Sequence, residues 1–73
     1  MQSYKNPMLE QDRVRKQLSD HMIKLGMGLI EISALIGVSH PTITRFVSKG
    51  GNVRPRQYSL IVNYLADNGW RVE

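Results

Sequence analysis

Residues 37–46, GVSHPTITRF, join two short stretches whose apolar residues recur at helical spacing. The first stretch is residues 29–36 and the second is residues 40–48. Only Gly37, Val38 and Ser39 lie between them. Two short helices joined by so tight a turn must cross steeply, and the first then needs a small residue where the second approaches. Ser33 is small and precedes Gly37 by four residues. Gly37 can take the left-handed conformation that other residues resist. Val38 is placed as an apolar plug beneath the turn. Ser39 is placed as the N-cap of the next helix, its hydroxyl accepting from the free amides of the first turn. Pro41 falls in that first turn, where a missing N–H costs nothing.

The rest of the chain supplies helices to pack against this pair. Val14, Leu18, Met22 and Leu25 recur at spacings of four, four and three, which predicts an amphipathic helix from Met8 to the break at Gly26 and Gly28. Residues 1–7 are polar, end in Asn6-Pro7 and read as a flexible arm, with residues 8–73 as a single domain. Ile32, Leu35 and Ile36 mark the buried face of the second helix, and Ile43, Phe46 and Val47 that of the third. Lys49-Gly50-Gly51-Asn52 is a clear break. Pro55 opens a fourth helix over residues 56–66, with Tyr58, Ile61, Val62 and Leu65 as its core stripe. Asn68-Gly69 is a turn signal, and Trp70-Arg71-Val72 permits a short strand or an extended tail. Met8, Met22 and Met27 read as core fillers. The expected fold is all-α: a compact bundle of four to five short helices around a central helix-turn-helix.

Composition narrows the function. The chain has no cysteine, which excludes disulfides, thiolate zinc sites and cysteine nucleophiles. At 73 residues its core is thin, worth roughly 3–5 kcal/mol net. Stability must therefore come from helix packing or from a partner subunit. No apolar run reaches the length of a spanning helix and no secretory signal is read, so a cytoplasmic protein is expected. His21 and His40 have no ligand spacing around them, so no metal site is expected, and His21 reads as a helix-surface residue. No phosphate loop, paired nucleophile and base, or catalytic carboxylate pair is present, so neither an enzyme nor a cofactor or small-molecule ligand is expected.

Ten Lys/Arg against six Asp/Glu give a net charge of +4. The distribution says more. Between Glu31 and Asp67 there is no acidic residue, while Arg45, Lys49, Arg54 and Arg56 all fall there. Charge of one sign over so long a window points to a polyanionic partner.

Residues 27–50, MGLIEISALIGVSHPTITRFVSKG, resemble the helix-turn-helix of the lambda repressor/Cro-type family. The small residue Ser33, the apolar positions Ile32, Ile36 and Val38, Gly37, Ile43 six residues after it, and Phe46 fall where that family has its motif core. The resemblance implies a phage or mobile-element regulator that binds specific double-stranded DNA. It implies base reading by His40, Pro41, Thr44 and Arg45, with Arg45 suited to guanine. Ser39, Thr42, Ser48, Lys49, Arg54 and Arg56 would meet the sugar-phosphate backbone or, for Ser39 and Thr42, cap the helix. One domain covers a half-site, so a homodimer on an inverted repeat is expected. Leu60, Tyr64, Trp70 and Val72 lie outside the core stripe and are the expected dimer surface. The family often has glutamine at the start of the first motif helix; this chain has Leu29, then Ile30, which would be buried by another element or a partner. Other readings are an antirepressor-type protein-binding module and an accessory, excisionase-like DNA-bending recombination factor.

Overall fold

The computed structural model describes residues 7–71, with side chains from residue 11 onward. Four α-helices follow one another: α1 Pro7–Leu25, α2 Leu29–Ile36, α3 His40–Ser48 and α4 Pro55–Asp67. No strand occurs among the described residues. Trp70 and Arg71 have no regular structure, and Val72 lies outside the described residues. The helix begins at Pro7, so Pro7 belongs to α1 and not to an arm; residues 1–6 lie outside the described residues.

α1 packs on both α3 and α4, and α2 packs on α3 and α4. One core results. Val14, Leu18 and Met22 of α1 meet Ile32 and Ile36 of α2, Val38 of the turn, Ile43 and Phe46 of α3, and Ile61 and Leu65 of α4. Met27, Val47, Tyr58 and Val62 are half-buried against it. The side chain of Met8 lies outside the described residues.

The turn between α2 and α3 follows from its residues. Gly37 sits at φ 90° in the left-handed region. Its N–H donates to the Ser33 carbonyl at 2.9 Å, and the N–H of Val38 reaches the same oxygen at 3.1 Å. This six-residue closure is the Schellman geometry, which satisfies a helix-end carbonyl and drives the next apolar residue inward. Val38 is accordingly buried. Ser33 is buried too, and its hydroxyl donates to the Ile30 carbonyl at 2.8 Å. That bond satisfies a polar group buried in the interior.

Three expected core or surface placements are corrected. Leu35 is 56% exposed. The buried sector of α2 runs through Ile32, Ile36 and Ser33, and Leu35 falls on the far side of Ile32 from Ser33. Leu25 is also 56% exposed, as the last residue of α1 before the chain turns out at Gly26. His21, expected on the surface, is 3% exposed. It lies on the core face of α1, three residues after Leu18, and its two ring nitrogens are both occupied.

Trp70 Nε1–H donates to His21 Nδ1 at 3.0 Å. His21 Nε2 pairs with the Tyr64 hydroxyl at 2.9 Å. Because Nδ1 must accept from an indole that can only donate, the imidazole is neutral and carries its proton on Nε2. The Tyr64 hydroxyl then donates to Met27 Sδ at 3.9 Å. Both aromatic rings meet the imidazole edge-on, at centroid distances of 5.3 and 6.2 Å. Burial pushes the Tyr64 phenol above its usual value, and the Glu31 carboxylate adds to the shift. Tyr64 and Trp70, expected at a dimer surface, are half-buried against the core of their own chain. Of the other two residues of that surface, Leu60 is 39% exposed and Val72 is outside the described residues.

Candidate nucleic-acid interface

The nine residues of α3 divide sharply. Ile43 and Phe46 are fully buried, and they fix which way the rest of the helix faces. His40, Pro41, Thr44, Arg45 and Lys49 consequently line one shallow, solvent-open cleft of about 480 Å³. Its lining residues are chemically mixed, combining a proline, a threonine, an imidazole, a guanidinium and an ammonium.

Local contacts pre-order part of this face. His40 Nε2 and Thr44 Oγ1 lie 3.3 Å apart, one helical turn from each other. The four expected base readers are thus brought together, and Lys49, expected on the backbone of the nucleic acid, joins them in the same cleft. Ser48 is exposed but does not line the cleft. Arg54 and Arg56 are exposed at the start of α4, a separate element.

The N-terminus of α3 departs from expectation. Ser39 is the N-cap by backbone conformation, at φ −63° and ψ 149°. Its hydroxyl does not cap the helix amides; it donates to Thr42 Oγ1 at 2.8 Å. The amide end of α3 is therefore left without a side-chain cap from Ser39 and stays available to an anion.

The other end of α3 is held by residues that the sequence did not single out. Arg15 of α1 lies with its guanidinium carbon 4.8 Å from the Phe46 ring centroid. Its Nε–H donates to the Phe46 carbonyl at 2.6 Å, and an Nη2 hydrogen donates to the Gly51 carbonyl at 3.0 Å. The same nitrogen reaches Asn52 Oδ1 at 3.3 Å, while Nη1 is paired with the Asp12 carboxylate. Gln11 clamps the next residue from both sides. Its Oε1 accepts from Val53 N–H at 3.0 Å and its Nε2 donates to the Val53 carbonyl at 3.2 Å. α1 thus fixes the α3–α4 connection by side-chain hydrogen bonds to backbone. The signal for Arg15 was its position beside Val14 and three residues before Leu18, at the edge of the core stripe.

The apolar start of α2 also resolves. Leu29 is half-buried against the core, whereas Ile30 is 70% exposed. No family model, curated protein or solved structure matches this chain.

Proposed function

We propose that the protein is a sequence-specific double-stranded-DNA-binding regulator of the repressor/Cro type, with α3 as its recognition helix in the major groove. The observation that carries the reading is the division of α3. Two fully buried anchors hold it down, and His40, Pro41, Thr44, Arg45 and Lys49 share its open cleft. The charge distribution supports it, since residues 32–66 contain four basic residues and no acidic one. Arg45 pairs with a guanine edge, and Thr44 and Pro41 offer a methyl and a ring to neighbouring bases. Ser39, Thr42, Ser48, Lys49, Arg54 and Arg56 serve the backbone, giving affinity and register. Two copies bind an inverted repeat whose half-sites lie about one helical turn apart. The protein belongs to the control circuitry of a phage or mobile element.

Selection of duplexes from a random pool by the purified protein tests this. An enriched inverted repeat is the expected result. Direct repeats would place the protein among DNA-bending recombination accessories, and no enrichment would overturn DNA reading. A second reading has one observation in its favour. Ile30 and Leu35 of α2 are 70% and 56% exposed, which suits a protein-binding antirepressor-type module. That reading expects no enrichment and loss of partner binding on Ile30→Asp.

A further inference from the structure

Gly51 lies in the connection between α3 and α4, and its φ is not among the positive values of this chain, so its backbone is open to any L-residue. The reason for a glycine here is a neighbour. A Cβ built at position 51 would stand 2.8 Å from Arg45 Cγ and 3.3 Å from Arg45 Cδ. The first distance is too short for two carbons in van der Waals contact. The aliphatic stem of Arg45 therefore lies directly over the bare α-carbon of Gly51.

The backbone at 51 is tied in place on both sides. Its N–H donates to the Arg45 carbonyl at 3.0 Å, an oxygen that also accepts from Lys49 N–H at 3.2 Å. Its carbonyl accepts from Arg15 Nη2 at 3.0 Å. Arg15 is itself held on Phe46, whose side chain is fully buried. The next two residues are held as well, Asn52 by Arg15 and Val53 by Gln11. When a side chain is added at 51, the loop is the fixed partner and the Arg45 stem is the one that must move. No hydrogen bond or ion pair among the described residues holds the Arg45 guanidinium elsewhere, so its direction depends on how its stem is packed.

We propose that Gly51 is a positioning residue for DNA reading: the bare α-carbon, locked by Arg15, seats the Arg45 stem and sets the direction of its guanidinium along the α3 cleft. This rests on the reading of Arg45 as a base-contacting residue. Gly51 touches no base, and it acts on sequence preference only through Arg45.

A double-mutant cycle between positions 51 and 45 tests it, read by titration of the selected duplex and a scrambled one. Gly51→Ala is expected to weaken the selected duplex about tenfold, and to relax preference at the same base pair as Arg45→Ala, with the scrambled duplex changed less than about twofold. Added to Arg45→Ala, which has no stem to displace, Gly51→Ala is expected to change binding less than about twofold. Equal losses from Gly51→Ala in both backgrounds, or none in either, would overturn the positioning role. A double variant that no longer melts cooperatively would also overturn it, because the glycine would then serve the loop and not the arginine. The two failures separate cleanly. If Arg45→Ala weakens both duplexes alike while the coupling to position 51 persists, Gly51 steers a phosphate contact and base reading by Arg45 is lost. If Arg45→Ala is base-selective and the coupling is absent, the reader stands and the positioning role falls.

Discussion

At the scale of single residues, the molecule assigns its polar side chains to two different tasks. Arg45 and Arg54 carry the same charge in different settings. Arg45 lines the cleft of α3, and Arg54 is exposed at the start of α4. Arg45→Ala is therefore expected to relax preference at one base position at a cost of about 1–3 kcal/mol, leaving scrambled duplex little affected. Arg54→Ala is expected to weaken every sequence alike and lower the salt slope by about one. Titrations of both variants at several salt concentrations check the contrast, and equal losses on both duplexes for Arg45→Ala would remove it as a reader. The other task is internal. His21 accepts from Trp70 and faces Tyr64, so α4 and the residues just after it are clasped to α1 through one imidazole. Nitrogen chemical shifts of His21 are expected to report a proton on Nε2 alone. Trp70→Phe leaves Nδ1 buried without a donor and is expected to cost about 1–3 kcal/mol in denaturant melts. An Nδ1–H tautomer in the intact protein would contradict the clasp.

At the scale of elements, the α2–turn–α3 unit depends on one backbone conformation. Gly37 sits at φ 90°, and a Cβ there would meet nothing within 4 Å. The cost of Gly37→Ala is thus purely conformational, about 1–2 kcal/mol. A denaturant melt should show that loss, and an unchanged midpoint would mean that the turn is not held as described. The helices were legible in the sequence because each has a period and a break: apolar residues at three and four, then glycine or proline. The fully buried residues Ile32, Ile43, Phe46, Ile61 and Leu65 follow from that pattern. Leu35 did not, since the pattern leaves the centre of a buried sector uncertain by one position. The choice is made by tertiary packing, which buries Ser33 and leaves Leu35 exposed. His21 and Arg15 were not legible for a different reason. Their partners lie 31 to 49 residues away, and periodicity says nothing about a hydrogen bond across the fold. The grouping of His40, Pro41, Thr44 and Arg45 on one open face of α3 was legible, because Ile43 and Phe46 turn the opposite face inward.

At the scale of the whole molecule, a small core is supplemented by ties from α1 to both later parts of the chain. One consequence appears at high pH. The folded protein holds the Tyr64 phenol proton more tightly than the unfolded chain, whose phenol has the ordinary value of 10.0. The associated stability is complete below that pH and is lost as the pH rises through the folded value. Stability measured between pH 8 and 12 is expected to be flat at first and then to fall. Tyr64→Phe should flatten the fall, and an unaltered alkaline slope in that variant would contradict the assignment. The same rigid frame presents α3 outward, with its anchors buried and its basic residues free of acidic neighbours in sequence from 32 to 66. We propose that this face reads base sequence. The most direct measurement is titration of the purified chain, at one salt concentration, against its selected duplex and a scrambled duplex of equal length and composition. Binding to the selected duplex is expected to be tighter by about a thousandfold or more; equal affinity for the two would overturn base reading by α3.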